Sequence, residues 1–369
     1  VKILVTGAKG FIGKNLVYAL RNNGYDDVLE FDTDTKEELL KEYCAECDFV
    51  FNFAGVNRPE NIDDFAKGNT DFTRYILSLL EQNNNHCPFM FSSSIQAELE
   101  NPYGISKRNG EKLVFEYGKR TGAKVLVYRF TNVFGKWCRP SYNSVIATFC
   151  YNIARGLPVT INDPDAILNL VHIDDLTNEM LNALKAKEVR AGEYCLVPVT
   201  HTVKLGYIAD TIKDFAKCRK NLSIPDQSDD FIRKLYSTYL SYLPEDSFSY
   251  FLDMHCDSRG SFTEFIRTID RGQVSINIIK PHIVKGNHWH DTKNEKFLVV
   301  SGQGVIRLRK PFSNEITEFY VSGDNMKAVD IPSGYTHNIE NTGDSDMVIV
   351  MWANEPYIPE KPDTHYLEV

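Results

Sequence analysis

Thr6-Gly7-Ala8-Lys9-Gly10-Phe11-Ile12-Gly13 lies between two segments of different periodicity. Lys2–Thr6 before it reads as a buried strand, and Gly13–Asn22 after it reads as a helix ended by Asn23-Gly24. Gly7 and Gly10 permit a tight turn and a close backbone approach to a pyrophosphate. Gly13 lets the helix pack against the strand, with the helix N-terminus turned towards the phosphates. In this strand–turn–helix context the octet predicts a dinucleotide site. Working outward, Val28–Phe31, Phe49–Phe53, Phe89–Ser92 and Val125–Arg129 read as further strands, and Asp71–Gln82 and Ser106–Thr121 as helices. Such alternation predicts an α/β unit, a doubly wound parallel sheet covered on both faces. Leu205–Cys218 and Asp229–Tyr242 read as amphipathic helices that close it.

The pattern changes after Pro244-Glu245-Asp246. From Phe248 onward the chain shows short alternating strands with turn signals at Ser258-Arg259-Gly260, Ser301-Gly302, Ser322-Gly323-Asp324 and Thr342-Gly343-Asp344. This predicts an all-β sandwich or barrel. The expected domains are 1–245 and 246–369, a division that suits 369 residues.

Hydrophobic residues make up 43% and charged residues 25%, the balance of a globular chain rather than a disordered or fibrous one. A net charge of −9 argues against nucleic acid or an anionic membrane as the main partner. No apolar run reaches the length of a membrane span, and VKILVTG lacks the charged start and long apolar core of a signal peptide. The 8 scattered Cys read as free thiols of a cytoplasmic enzyme, Cys44 and Cys47 included.

The second constellation is Tyr103-Gly104-Ile105-Ser106-Lys107. Near a helix start, Tyr103 and Lys107 share one face. Hydride transfer to a ketone needs a proton donor at the oxygen. A Lys ammonium makes a Tyr give up its proton more readily, and Ser94, at the end of the preceding strand, holds the same oxygen. For the cofactor, Asp32 at the end of the second strand suits an adenosine ribose hydroxyl and favours NAD. Lys9 suits a 2′-phosphate and favours NADP.

These motifs resemble the extended short-chain dehydrogenase/reductase family of nucleotide-sugar epimerases and reductases. The resemblance spans roughly residues 1–240. It rests on Thr6–Gly13, Asn52-Phe53-Ala54-Gly55, Ser92–Ser94, Tyr103 with Lys107, Arg129-Phe130-Thr131-Asn132-Val133-Phe134-Gly135 and Val171-His172-Ile173-Asp174-Asp175. It implies a Rossmann-like fold, with Ser94, Tyr103 and Lys107 catalytic. It implies cofactor contacts at Gly7, Lys9, Gly10, Phe11, Ile12, Gly13, Asp32, Ala54, Gly55, Tyr103 and Lys107. Asn132 would face the nucleotide-sugar, and Lys136 and Arg139 offer charge for its diphosphate. The family's tyrosine-glycine pair after the serines is replaced by Gln96-Ala97-Glu98-Leu99.

Of the 9 His, His255, His282, His288, His290, His337 and His365 lie in the last third. In a strand, His288 and His290 point to the same side. Glu295 returns from the next strand, and His337 adds a third imidazole. Three His and one Glu suit a borderline divalent cation such as Zn²⁺. The run His288 to Gly302 and Pro332-Ser333-Gly334 with His337 and Asn341 resembles the two motifs of the cupin family, which implies a small β-barrel. Asp257-Ser258-Arg259-Gly260-Ser261-Phe262-Thr263-Glu264 resembles the opening segment of deoxysugar 3,5-epimerases. Those enzymes use a His base without metal, whereas His288 here stands in the metal set.

A 4-keto sugar connects the two halves. Its ketone acidifies the C3–H, a metal favours inversion at C3, and the surviving ketone accepts hydride. Lys280, His282 and Lys285 are candidate C3 bases. The pairing of a short-chain reductase with a metal cupin resembles the bifunctional enzymes of bacterial capsular-polysaccharide precursor synthesis. This implies C3 epimerisation of a UDP-2-acetamido-2,6-dideoxy-4-hexulose (a UDP-4-keto-6-deoxy-N-acetylhexosamine) and then C4 reduction with NADPH. The product would be UDP-2-acetamido-2,6-dideoxy-L-talose, on the route to UDP-N-acetyl-L-fucosamine, with Zn²⁺ and a homodimer. The alternatives are a reductase with a structural or sugar-binding barrel, an iron-cupin oxygenase, or a redox sensor.

Overall fold

The computed structural model describes every residue except 60, 269, 357 and 359–361. The chain forms two units, Val1–Lys213 with Asp229–Pro244, and Asp214–Ser228 with Glu245–Val369.

The first unit is built on a sheet whose order is Val28–Phe31, Ile3–Thr6, Phe49–Asn52, Phe89–Ser94, Val125–Phe130, Tyr194–Cys195, Arg190–Ala191. All its pairings are parallel except the last, Tyr194–Cys195 with Arg190–Ala191. The strands alternate between two cores. Ile3, Val5, Phe49, Phe51 and Met90 enter one, while Leu4, Val50, Phe89 and Phe91 enter the other. A period of two along strands covered on both faces gives this division. Strand order reverses at Ile3–Thr6, and sheets of this kind bind their ligands at that reversal, beyond the carboxyl ends of the strands. A small second sheet joins His201–Lys204, Ile167–His172 and Asn132–Phe134.

Three helices carry the site, and each starts differently from its sequence reading. The first spans Phe11–Asn22, so Gly13 lies inside it. The helix expected from Ser106 spans Pro102–Thr121. Asn101 caps it by accepting from the Gly104 amide at 2.7 Å, Pro102 fills its first position, and Gly122 closes it at φ 76°. Tyr103 therefore sits in its first turn. The helix Phe72–Gln82 is preceded by a π-helical turn, Ala66–Asp71, which periodicity does not announce.

Leu205–Cys218 and Asp230–Leu240 are helical as expected. The stretch between them goes with the second unit. Ile224 N–H donates to the Arg267 carbonyl at 3.2 Å, the Arg267 amide donates to Leu222 at 2.7 Å, and the Arg219 guanidinium lies 4.6 Å from the Tyr250 ring.

The second unit consists of two antiparallel sheets. One runs Met254–Asp257, Gly260–Thr268, Gly272–Ile279, Met347–Ala353, Glu295–Ser301, Ala328–Ile331. The other runs Ile316–Ser322, Gln303–Arg309, Thr336–Asn341, Val284–Trp289, His365–Tyr366. Ile279, Phe297, Val299 and Ile349 from the first meet Ile306, Leu308, Val321 and Ile339 from the second in one core. This is a cupin-like barrel. All eight cysteines are free thiols. Cys44 is buried, and burial pushes its thiol up to about 12, the opposite of a reactive or ligating thiolate.

Candidate functional site

The glycine octet turns as its spacing predicts. Gly7 adopts φ +65°, and a Cβ there would lie 2.8 Å from the Ala54 amide nitrogen. A Cβ on Gly13 would lie 2.1 Å from the Gly7 carbonyl oxygen, which is why helix and turn need glycine at both places. Gly10 caps the helix with no side-chain bond, leaving the first amides of Phe11 and Ile12 without a side-chain acceptor from the cap. Lys9 and Asp32 do not stand as rivals. The Asp32 carboxylate accepts the Lys9 amide at 2.7 Å and the Thr33 amide at 2.8 Å, while the Lys9 ammonium pairs with Asp34. That ion pair is exposed, so little energy opposes its opening to a phosphate.

Ser94 ends the strand Phe89–Ser94, and its side chain hydrogen-bonds Tyr103. Lys107 is buried; its ammonium donates to the Ser92 carbonyl at 3.0 Å and lies 5.9 Å from the Tyr103 ring centre. Burial pulls Lys107 down to about 8, with Glu111 opposing. The sequence reading had the Lys charge easing deprotonation of Tyr103. Instead burial raises the Tyr103 hydroxyl, and the Ser94 bond offsets it in part. Gly55 leaves room for this group, because a Cβ there would come 2.7 Å from Asn69 Oδ1 and 3.0 Å from Lys107 Nζ. Asn69, on the π-helical turn, donates to Ser106 Oγ at 2.9 Å and exchanges bonds with the Val56 backbone. Turns of this kind recur at functional sites.

Sequence reading missed Glu111, one turn beyond Lys107. It is buried and accepts from Ser93 Oγ at 2.5 Å and from Arg129 at 2.8 and 2.7 Å. The signal was available: an acid at i+4 from Lys107, in the same helix as a motif lysine. On the substrate side, Asn132 is exposed, opposite Leu170. Lys136 is paired with Asp174, and the Arg139 guanidinium lies 5.4 Å from the Tyr142 ring, so both cations already have partners. Gln96-Ala97-Glu98 forms a 3₁₀ turn held by Glu98 to Arg129 at 2.9 Å.

In the barrel, the ligand atoms of His288, His290, Glu295 and His337 all lie within 4.8 Å of one another. His288 faces His337 across the pair of strands, and a bulge between Gly286 and His288 brings it there. Glu295 Oε2 is 3.6 Å from His290 Nε2 and 3.3 Å from His337 Nε2. Burial disfavours the Glu295 carboxylate, yet the neighbouring imidazoles of His290 and His337 pull it down to about 2. Burial, with the other two imidazoles, lowers His288 to about 4. His290 Nε2 and Glu295 Oε2 are buried with no hydrogen-bond partner. Orphaned atoms on His290, His337 and Glu295, with the His288 imidazole beside them, fit a divalent cation, which would satisfy them. Of the candidate bases, Lys280 pairs with Asp346 at 2.8 Å and His282 with Asp344 at 3.2 Å, both exposed. Lys285 reaches between the sheets to Asn277 Oδ1 at 2.9 Å.

The sequence pattern of the NAD dependent epimerase/dehydratase family matches residues 3–196, over half of the chain. The chain belongs to the NAD-dependent epimerase/dehydratase family. A second pattern, the polysaccharide biosynthesis C-terminal domain, matches residues 255–365. This family member is 40% identical over 369 residues to the UDP-2-acetamido-2,6-beta-L-arabino-hexul-4-ose reductase of Pseudomonas aeruginosa, covering 100% of this chain and 99% of the relative. Its structure is similar throughout to the capsular polysaccharide assembling protein CapF of Staphylococcus aureus, with a TM-score of 0.95, 51% identity and full coverage of both chains. The UDP-glucuronic acid 4-epimerase of Bacillus cereus, 18% identical with a TM-score of 0.56, shares the fold over 66% of this family member and 96% of the epimerase.

Proposed function

We propose that the protein is a bifunctional nucleotide-sugar enzyme. Its substrate is a UDP-2-acetamido-2,6-dideoxy-4-hexulose, epimerised at C3 in the barrel and then reduced at C4 in the N-terminal unit. The product is UDP-2-acetamido-2,6-dideoxy-L-talose, on the UDP-N-acetyl-L-fucosamine route to capsular polysaccharide. The observation that carries this is the presence in one chain of the Ser94–Tyr103–Lys107 group and the buried His288–His290–Glu295–His337 pocket. Full-length similarity to a keto-sugar reductase and to CapF supports it.

NADPH, when bound, supplies hydride to C4. The turn Gly7–Gly13 with Ala54 and Gly55 cradles its phosphates and ribose, and Lys9 exchanges Asp34 for a 2′-phosphate. Ser94 orients the ketone oxygen, and Tyr103 donates the proton to it. Lys107 fixes the ribose and steadies the charge left on Tyr103. Asn132, Lys136 and Arg139 contact the nucleotide-sugar. In the barrel, His288, His290, Glu295 and His337 hold a divalent cation, of which Zn²⁺ fits the donors best. That cation supplies Lewis acidity, making the C–H beside a ketone easier to ionise. Lys285, which bonds Asn277, is with Lys280 and His282 a candidate to move the C3 proton. The enzyme works as a cytoplasmic homodimer; among the described residues no helix is long and apolar enough to cross a membrane.

The test is deuterium wash-in. The protein is incubated with the UDP-4-keto sugar in D₂O, without and then with NADPH, and followed by NMR. Deuterium at C3 before cofactor is added, then loss of the ketone, is the expected sequence. Ketone reduction with no deuterium at C3 would leave a simple reductase with a structural barrel.

A further inference from the structure

The strand His365–Tyr366 pairs with the strand Val284–Trp289, which carries His288 and leads directly into His290. His288 lies opposite Tyr366, and Trp289 opposite His365. Just before this strand, Asp363 makes two kinds of contact. Its backbone carbonyl accepts from Nδ1 of His290. Its carboxylate accepts the amides of Asp291 at 2.7 Å, Thr292 at 2.9 Å and Lys293 at 2.8 Å, and the Thr292 hydroxyl at 3.2 Å. Those three amides form the turn between His290 and Glu295. One residue about seventy positions away therefore holds both an imidazole of the pocket and the turn that sets its spacing to the carboxylate.

We propose that Asp363 is a positioning residue of the pocket, which fixes the tautomer and aim of His290 and so sets the affinity for the cation. The inference rests on the metal reading of the pocket. A neutral imidazole that donates from Nδ1 presents its lone pair from Nε2, the atom that faces Glu295. The carboxylate's grip on the turn keeps the Asp363 carbonyl against the ring; once the grip is lost, both tautomers and a flipped ring become available, and binding has to select one of them. The turn acts in the same direction, because three amides tied to one carboxylate cannot drift and carry His290 away from Glu295. His365 adds a second anchor, bonding Asp291 at 2.9 Å and lying 4.6 Å from the Trp289 ring. Asp291, Asp363 and His365 also lie close together, but the Asp363 oxygens already serve the turn amides. This outer trio is a brace rather than a second cation site.

The experiment uses the full chain, stripped of metal and titrated with Zn²⁺ against a chromophoric chelator. Asp363→Ala is expected to bind Zn²⁺ about 10- to 100-fold more weakly. Asp363→Asn, which keeps one accepting oxygen, should fall between the alanine variant and wild type, and NADPH binding should be unchanged in both. Nitrogen NMR of the metal-free protein gives a readout that does not need the cation. Alanine keeps the carbonyl at 363 but removes the carboxylate that ties it to the Asp291–Lys293 turn, so His290 should be an Nδ1–H tautomer in wild type and a mixture in Asp363→Ala, where that carbonyl is no longer held against the ring. Wild-type affinity together with an unchanged tautomer in Asp363→Ala overturns the proposal. A wild-type protein that binds no Zn²⁺ overturns the metal reading instead, and the proposal with it. If the alanine variant does not fold, Asp363→Asn decides: at least about fivefold weaker binding supports the brace, and wild-type binding overturns it.

Discussion

Glu111 stands one helical turn after Lys107 in the helix Pro102–Thr121, and its carboxylate ties that helix to two strands of the sheet. It reaches Ser93 beside Ser94, and Arg129 just before Asn132. Its charge also raises Lys107 against the pull of burial. Glu111→Gln keeps the shape and removes the charge. Lys107 then loses its proton at lower pH, because an opposite charge no longer favours the ammonium. The alkaline limb of NADPH-dependent ketone reduction should move acidward by about one pH unit. Arg129 keeps Glu98 as a partner, so the weakened bonds to it should cost about 2 kcal/mol of stability. A lower melting temperature with an unmoved pH profile would make Glu111 structural only.

Tyr103→Phe separates the two proposed chemistries. The hydroxyl that meets Ser94 disappears, while the ring and the Lys107–Ser92 bond remain. Losing a general acid typically costs about 10²- to 10⁴-fold in rate. NADPH oxidation should fall by at least that lower figure, and deuterium should still enter C3. Loss of exchange along with reduction would put both steps at Tyr103 and sink the two-site account.

How far the sequence reveals these sites depends on the range of the interaction. Ile3–Thr6 is legible because a strand buried on both faces must be apolar at every position. His288 and His290 are legible because a period of two is local, and Tyr103 and Lys107 because a helical turn is local. Glu111 was equally local, an acid at i+4 from Lys107, but its burial and its bonds to Ser93 and Arg129 come from the sheet and not from the helix. The two-residue strands Arg190–Ala191 and Tyr194–Cys195 are too short to have a pattern. The π-helical turn Ala66–Asp71 has no periodic signature of its own in so few residues. Asp363 was out of reach for a different reason. Its partners lie about seventy residues away and are backbone amides, which every sequence offers everywhere.

Lys107 also leaves a mark on stability. Burial holds its folded pKa at about 8, below the ordinary 10.5. Below pH 8 both folded and unfolded chains carry the proton, and folding bears the full cost of the buried charge. Between about 8 and 10.5 the unfolded chain binds the extra proton, so this group's contribution to stability rises with pH. The total over that window is about 3 kcal/mol. Lys107→Met removes the charge while keeping most of the volume. The variant should be more stable than wild type at pH 7, and the gap should close as pH approaches 10.5. Denaturant midpoints of both proteins at pH 7, 8.5 and 10 measure it, and a gap that does not narrow with pH would assign the change to packing.

His337→Ala tests the barrel from the other side. His337 lies opposite His288, 3.3 Å from Glu295, and is buried. Removing it takes one donor from a four-donor set and leaves a void beside the Phe297 ring, whose centre is 5.9 Å from the imidazole. The void alone would cost stability, so stability cannot distinguish the two roles. Deuterium exchange at C3 can. A strong chelator should abolish exchange in wild type, added Zn²⁺ should restore it, and His337→Ala should lack it at any practical Zn²⁺ concentration. NADPH binding should be intact throughout, because no residue of the glycine turn is touched. Full exchange in the chelated wild type would remove the cation from the C3 step, and its role would then be to hold the barrel together, read as a fall in melting temperature on chelation.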